Sequence, residues 1–231
     1  PGDGSLSKVL LDTFKKFPDL NKSINFYLYE KSNLLINEQK KKLKDSKVKW
    51  IKNFNKINKG PIIFFGNEFF DAIPVKQFSY EKNSLLEKCY VIYPDSGINE
   101  AYQKASEEDV KKIKTFKVLK ELKFIEYPKL GLIELDKMVK KIDELTGGIL
   151  LIDYGYLNII NRSTLQAVMK NKKININDLF KNLGKADITS LVNFSLLEEY
   201  FKKKKLKVKK IVSQKFFLEK MGIIDRAKIL E

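Results

Sequence analysis

Two chemically versatile residue types are absent or scarce in this chain. Histidine does not occur, and cysteine occurs once, at Cys89. A single cysteine excludes an intrachain disulfide and a metal cluster held by several thiolates. Without histidine, zinc sites built on imidazole and Ser-His-Asp triads are excluded as well. Any general acid or base must therefore be an aspartate, a glutamate, a tyrosine, a lysine or Cys89.

Long hydrophobic runs are missing too. No apolar run approaches the roughly 20 residues that a membrane-spanning helix requires. The 231 residues are 43% hydrophobic, which is enough to bury one sizeable core. We therefore expect one domain over residues 1–231, with an insertion at 78–130. No metal site is expected.

Arginine is rare in a strongly basic chain. The formal net charge is +16, yet arginine occurs only at Arg162 and Arg226. Proteins that read nucleic acid bases depend on the bidentate arginine fork. We interpret most of the lysines, together with abundant asparagine and isoleucine, as solvated residues that reflect an AT-rich genome. Nucleic acid is thus not the expected partner, and the expected location is a bacterial cytoplasm, or the mitochondrion in a eukaryote.

A short apolar run at 62–65 ends in polar residues. Its β-branched and aromatic residues lie between glycines, which predicts a strand buried on both faces and hence parallel to its neighbours. Ligands of open α/β sheets bind beyond the carboxyl ends of such strands. Asn67, Glu68 and Asp71 follow this strand, so we expect them at a site of chemistry.

The same alternation of strand and helix recurs along the chain. Strands are predicted at 24–29 and 149–152, each ending in a carboxylate, Glu30 and Asp153, and helices at 34–43 and 132–145. This order predicts an α/β fold with a Rossmann-like, doubly wound, mostly parallel sheet. Further expectations are a hairpin at 75–93, a helical pattern at 99–123 and an outer strand at 206–212.

A glycine turn near the start of the chain, Pro1–Ser5, precedes a helical pattern. Such a turn lets backbone amides approach a ligand closely. Glu30 follows at about the 20-residue offset at which an acid binds the hydroxyl pair of a ribose. A nicotinamide dinucleotide is one ligand for this pair, although the third glycine of its usual fingerprint is missing. S-adenosylmethionine is the other, and its cationic sulfonium suits a mouth lined by acids, Asp3 and Glu68 among them.

Seven blocks of the sequence together resemble the MidA family of class I S-adenosylmethionine-dependent methyltransferases. The blocks run in family order over essentially the whole chain, and Asn-Glu-Phe-Phe-Asp-Ala is the most specific of them. They are Pro1–Leu6, Tyr29-Glu30 with Gln39 and Leu43, Asn67–Phe78, Leu151–Gly155, Thr164–Ala167, Gly184–Thr189 and Gln214–Ile223.

The resemblance implies an enzyme that methylates an arginine of an NADH dehydrogenase (complex I) subunit during assembly. Glu68 and Asp71 are the expected catalytic residues, because carboxylates hold a guanidinium in a bidentate fork. The expected cofactor is S-adenosylmethionine. Its expected binding residues are Gly2, Asp3, Gly4, Glu30 and Asn67, and the expected substrate-binding residues are Asp153, Tyr154, Asp187 and Thr189.

The chain departs from the family pattern at two places. The family begins earlier, so we expect the first strand and half of the cofactor turn to be missing here. Leu191 and Asn193 stand where the family has histidine and aspartate, which leaves any role of those two in substrate handling open. Two other functions stay possible on the residues alone: a non-catalytic assembly chaperone with the same fold, and an RNA-binding module around 202–210.

Overall fold

The computed structural model describes residues 2–45, 47–82, 84–93, 97–170, 172–182 and 184–230. Pro1 and Asn83, which belong to the predicted glycine turn and hairpin, lie outside these residues. Among the described residues the helices are α1 Ser5–Lys15, α2 Pro18–Ser23, α3 Asn33–Leu43, α4 Glu107–Ile113, α5 Lys117–Lys120, α6 Lys129–Leu145, α7 Ile176–Lys181, α8 Phe194–Lys203, α9 Gln214–Lys220 and α10 Ile223–Leu230. The strands are β1 Phe26–Tyr29, β2 Val48–Ile51, β3 Ile62–Asn67, β4 Lys76–Glu81, β5 Ser84–Tyr93, β6 Gly97–Lys104, β7 Phe124–Tyr127, β8 Gly147–Ile152, β9 Gly155–Tyr156, β10 Gln166–Met169, β11 Lys172–Ile174, β12 Asp187–Thr189 and β13 Val192–Asn193.

These elements form two compact units. The first unit contains Pro1–Asn67 and Asp136–Leu150, and the second contains Glu68–Leu135 and Leu151–Glu231. The glycine turn and Glu30 belong to the first unit. Asp71 and Asp153 belong to the second.

Parallel pairs of strands dominate the first unit. β1 and β2 pair in parallel, with Phe26 opposite Val48. The Ile62 N–H donates to the Thr146 carbonyl oxygen at 3.1 Å where β3 meets β8, and in the second unit the Glu68 N–H donates to the Ile152 carbonyl oxygen at 2.9 Å. Because both bonds join residues the same distance apart in sequence, β3 and β8 run parallel. A core cluster backs β1 and β2; it consists of Leu11, Leu28, Leu43 and Val48.

The prediction that β3 is buried on both faces is wrong for this structure. Its burial alternates, and the side chains of Ile63 and Phe65 are 78% and 43% exposed. The parallel direction was predicted correctly from the same residues. β2 was not predicted, because its four residues include an exposed lysine, Lys49, and form too short a run for periodicity to detect.

The largest sheet in the described residues is antiparallel and lies in the second unit. Its strand order is β6-β5-β4-β7, and the β4–β5 hairpin closes where Glu81 pairs with Ser84. The predicted hairpin is therefore confirmed. The helical pattern expected from residue 99 is wrong up to Lys104, because β6 pairs there with β5 along its whole length. That 78–130 is an insertion in a single domain stays a prediction.

The outer strand expected at 206–212 is also wrong. These residues have no regular secondary structure, although lysines alternate with half-buried apolar side chains as the sequence pattern indicated. Alternation satisfies one face of a strand but supplies no partner for its backbone. Within the described chain, none of the helices combines the length and the apolar character needed to cross a bilayer.

Candidate functional site

The glycine turn leads directly into α1. Gly2 and Gly4 have φ of +57° and +87°, a region that residues with a side chain rarely adopt. A Cβ at Gly4 would lie 3.4 Å from Cγ of Gln39, whereas at Gly2 no atom of the described residues beyond its chain neighbours lies within 4 Å of the corresponding position. The turn is therefore packed against Gln39 on one side and open at Gly2.

The side chain of Asp3 forms hydrogen bonds within the glycine turn. Its carboxylate accepts hydrogen bonds from the backbone N–H and the hydroxyl of Ser5, both at 2.9 Å, and forms an ion pair with Lys42. The hydrogen bond from Lys42 is the first cause that lowers the pKa of Asp3. Asp3 thus stabilises the start of α1, and Lys42 compensates the negative charge that we expected it to contribute to the site.

Glu30 follows β1 and its carboxylate is fixed by neighbours. Oε1 accepts from the backbone N–H groups of Lys31 and Ser32, both at 2.9 Å, and Oε2 accepts from the Gln39 side chain at 3.3 Å. The same Gln39 side chain donates to the Gly2 carbonyl oxygen at 2.7 Å. The structure therefore brings the predicted residues Gly2, Gly4 and Glu30 together around Gln39.

This arrangement suits a nucleoside. A carboxylate held by two backbone amides is well placed to accept hydrogen bonds from a vicinal diol, and the turn offers backbone groups beside open space at Gly2. Asn67 is exposed at the end of β3. Its predicted part in cofactor binding stays a prediction.

The turn after β3 opens the second unit. Glu68 is exposed and adopts φ of +49°, a conformation that costs on the order of 1–2 kcal/mol for a residue with a side chain. Its N–H bond to Ile152 anchors it at the end of β8. Unfavourable backbone of this kind occurs at functional sites, but five other non-glycine residues described here share it, among them Thr146 with φ of +58°.

Asp153 holds this turn in place. Its Oδ2 accepts from the backbone N–H groups of Phe69 at 3.0 Å, Phe70 at 2.7 Å and Asp71 at 3.4 Å, and its Oδ1 accepts from Tyr154 at 2.9 Å. Burial, and then the negative charge of Asp71, raise the pKa of Asp153, while the amides oppose the rise. The oxygens of Asp153 orient the turn that carries Asp71. Its predicted contact with substrate stays a prediction.

Asp71 retains an acceptor with no partner. Its Oδ1 is buried and makes no hydrogen bond with the part of the chain that the structure describes. Its backbone carbonyl accepts from Ser190 at 3.0 Å. An unsatisfied buried acceptor costs about 1–3 kcal/mol, so a donor that reached this oxygen would recover that free energy.

The other predicted substrate residues lie on neighbouring elements. The Tyr154 side chain is 63% exposed, and the Tyr154 carbonyl accepts from Val192 at 2.8 Å where β9 meets β13. Asp187 and Thr189 lie on β12, opposite Val168 and Gln166 of β10. Thr189 Oγ1 accepts from the Gln166 side chain at 3.3 Å. Their predicted contact with substrate stays a prediction.

A buried polar cluster in the second unit escaped the sequence analysis. Gln77 and Glu126 face each other across β4 and β7, and the Gln77 amide donates to Glu126 Oε1 at 2.8 Å and to Ser163 Oγ at 2.7 Å. The Thr164 N–H and hydroxyl also donate to Glu126. Burial, and then the charge of Glu126, raise the pKa of Tyr156 to about 12. Gln77 and Thr164 belong to two of the blocks that resemble the MidA family, and this was the only signal of the cluster in the sequence.

Leu191 and Asn193, the residues that replace the histidine and aspartate of the family, both make defined hydrogen bonds. The Leu191 N–H donates to Thr164 Oγ1 at 2.9 Å. Asn193 caps α8, since its Oδ1 accepts from the Leu196 N–H at 3.0 Å, and its side chain also hydrogen-bonds Tyr156. Asparagine caps helices about as well as aspartate, so the replacement at 193 keeps the cap and removes one negative charge.

The described residues contain no cluster of three or more histidine, cysteine, aspartate or glutamate side chains that could hold an ion.

Solved structures share this fold. A Burkholderia thailandensis protein crystallised with S-adenosyl-homocysteine matches with a TM-score of 0.66 and 18% identity over 85% of this chain and 52% of its own. A second structure from the same organism, of an uncharacterised protein, matches with a TM-score of 0.69 and 18% identity over 88% of this chain and 55% of its own. The fold is therefore that of the class I methyltransferases.

The sequence comparisons identify the family. Residues 1–212 match the family described as "Putative S-adenosyl-L-methionine-dependent methyltransferase". The chain belongs to this methyltransferase family, and the MidA resemblance is confirmed.

Three relatives have "Protein arginine methyltransferase NDUFAF7" and "mitochondrial" in their names. The Caenorhabditis elegans homologue is 27% identical over 100% of this chain and 58% of its own length. The Xenopus tropicalis protein is 25% identical over 100% of this chain and 58% of its own length. The Danio rerio protein is 24% identical over 78% of this chain and 42% of its own length. The chain thus spans about half the length of these curated relatives.

Proposed function

We propose that this chain carries the methyl-transfer function of an S-adenosylmethionine-dependent protein arginine methyltransferase. The match to the methyltransferase family over residues 1–212 carries the proposal. The names of the relatives support arginine as the acceptor. The acids at the turn after β3 give that acceptor, a cation, a matching environment.

The first unit supplies the residues for the cofactor. When bound, S-adenosylmethionine supplies an electrophilic methyl carbon on a cationic sulfonium. Glu30 would accept the ribose hydroxyls, because its carboxylate is already oriented by the N–H groups of Lys31 and Ser32. The Gly2–Gly4 turn would receive the remaining polar groups through its backbone. Asp3, paired with Lys42, would act by holding the turn.

The second unit supplies the residues for the guanidinium. Asp71 Oδ1 lacks a donor in the described chain, and a guanidinium N–H would satisfy it. The Asp71 charge that raises the pKa of Asp153 would be neutralised by the same cation. Glu68, exposed on the same turn, would accept a second N–H. Fixing the guanidinium in this way orients its attacking nitrogen, which is where most of the rate of a displacement reaction is gained.

The partner we propose is a subunit of NADH dehydrogenase (complex I), methylated during assembly. In a eukaryote the reaction would take place in the mitochondrion, the compartment in the names of the relatives, and in a bacterium in the cytoplasm. The proposal rests on the family resemblance and on the arginine acceptor in those names.

Cofactor binding is tested by calorimetric titration of the chain with S-adenosyl-homocysteine. We expect saturable binding that Glu30→Ala weakens by about ten-fold or more, the loss of hydrogen bonds from two hydroxyls to a charged acceptor. Glu38→Ala, the same kind of change at an exposed acid of α3, is the control and should bind like the wild type. Equal affinity of the Glu30→Ala and wild-type chains would contradict the assignment.

Methyl transfer is tested with an arginine-containing peptide and its lysine counterpart, each with labelled cofactor. Glu68→Gln combined with Asp71→Asn should abolish transfer to arginine while cofactor binding is retained. If partner binding and complex assembly persist in full without either carboxylate, the chain acts as a non-catalytic assembly chaperone and the proposal is wrong.

A further inference from the structure

Gln39 occupies an unusual position for an amide side chain. It is fully buried, at 0% exposure, on α3 in the first unit. Its three side-chain hydrogen bonds reach three separate segments: the Gly2 carbonyl at 2.7 Å, Glu30 Oε2 at 3.3 Å and the Trp50 indole at 2.9 Å. Side-chain hydrogen bonds in a core fix relative positions because an unmade one is costly.

The orientation of the amide follows from the partners. The indole N–H of Trp50 can only donate, so it must meet the Gln39 oxygen. The NH₂ group of Gln39 then faces two acceptors, the Gly2 carbonyl and the Glu30 carboxylate. A carboxylate at position 39 could still accept the hydrogen bond from Trp50. It would have no N–H to donate and would repel the Gly2 carbonyl oxygen and the Glu30 carboxylate.

We propose that Gln39 is a positioning residue for cofactor binding, which ties the glycine turn and the Glu30 carboxylate into one preorganised arrangement. This inference rests on the proposed function. Gln39 acts through Glu30 and Gly2, and Trp50 sets the direction of its amide. A Cβ built on Gly4 would lie only 3.4 Å from Cγ of Gln39, so the turn passes close to this side chain.

The test uses the isosteric variant Gln39→Glu, which keeps the volume of the side chain and the acceptor for Trp50. We expect it to weaken S-adenosyl-homocysteine binding by about ten-fold or more. The reason is that the charge-assisted hydrogen bond from the Gln39 amide to the Glu30 carboxylate is lost and two carboxylates then repel each other. In a Glu30→Ala background the same change should cost clearly less, because only the repulsion from the Gly2 carbonyl remains and contacting residues that act together are not additive. A purely structural role would give equal losses in both backgrounds.

Trp50 reports whether the variants keep their local packing. It is the only tryptophan of the chain, so its emission is read without interference. Gln39→Glu should leave the emission maximum unchanged, since the acceptor for the indole remains. Gln39→Leu, which removes that acceptor, should shift it.

The outcomes separate the inference from the proposed function. If the wild type binds and the loss caused by Gln39→Glu is absent, or is equal in the two backgrounds, the positioning role is overturned while the proposed function stands. If the wild-type chain does not bind S-adenosyl-homocysteine at all, the proposed function is overturned and this inference with it.

Discussion

Asp153 shows how a single carboxylate can fix the backbone of a candidate site. It accepts four backbone N–H groups, three of them from the turn that carries Asp71. Its half-buried position and the charge of Asp71 raise its pKa. The energetic role of Asp153 is therefore to fix the turn, at an electrostatic cost that a bound cation would reduce.

Asp153→Asn should destabilise the chain by about 1–3 kcal/mol, because an amide NH₂ cannot accept the backbone donors it would meet. The difference should depend on pH. Since the folded state raises the pKa above 3.8, the stability linked to the proton is fully present below 3.8 and is lost as pH rises through the raised value. The variant lacks this titration. Its deficit relative to the wild type should thus be larger at about pH 3 than at about pH 7.

Urea unfolding of both chains at the two pH values measures this difference. Asp143→Asn, at an exposed acid of α6, is the matched control and should show a small deficit at both. A deficit that grows with pH would show that Asp153 is not the group described here.

The sequence located the carboxylates of the candidate site but not the groups that each side chain contacts. Glu30 and Asp153 were predicted because both follow apolar runs, and the structure places both at strand ends. The direction of each side chain depends on backbone donors from distant segments, which a run of residue types does not encode. Glu126 was missed because it lies inside a short strand, where a polar residue in an apolar run indicates nothing unless its partner Gln77 is known.

At the scale of elements, α8 begins at a residue that departs from the family pattern. Asn193 accepts from the Leu196 N–H and so satisfies one of the N–H groups that a helix start leaves unpaired. The preceding strand β13 pairs with β9, which carries Tyr156. One residue thus joins a helix start to the buried polar cluster.

Asn193→Ala should lower the free energy of unfolding by about 1 kcal/mol through loss of the cap. Asn193→Asp, which restores the family residue, should leave stability nearly unchanged because aspartate caps equally well. Thermal or denaturant unfolding of the three chains distinguishes the two substitutions. Equal destabilisation by both would show that the amide group itself, through Tyr156, is what matters.

The accuracy of the element predictions followed the strength of the periodicity. α3 and α6 were predicted nearly to their ends, because their buried residues recur at helical spacing. β6 was mistaken for the start of a helix because its exposed polar residues conceal the alternation, and pairing with β5 decides its conformation. Pairing is a property of two segments, so neither sequence alone reveals it.

At the scale of the whole molecule, the residues proposed for cofactor and for chemistry belong to different compact units. Glu30 and Gln39 belong to the first unit, and Asp71 and Asp153 to the second. Variants in each unit therefore test cofactor binding and methyl transfer one at a time.

Asp71→Asn should leave the affinity for S-adenosyl-homocysteine within about two-fold of the wild type, since this ligand carries neither a sulfonium charge nor the guanidinium that Asp71 is proposed to bind. Hydrogen exchange should show that this ligand protects amides of the first unit, those near Gly2 and Glu30 above all. Asp71→Asn should nevertheless abolish methyl transfer to an arginine peptide. Protection confined to the second unit would contradict the placement of the cofactor residues.

The left-handed backbone conformation of Glu68 bears on how proteins with this fold could evolve. Its φ of +49° suits glycine, so Glu68→Gly should raise the free energy of unfolding by about 1 kcal/mol while transfer activity falls. Glu68→Gln, which keeps the unfavourable backbone, should lose activity without that gain, and unfolding curves of the two variants test the difference. Selection for foldedness alone would favour glycine at this position, so a relative with glycine there would be a candidate for a lineage that kept the scaffold and gave up the reaction.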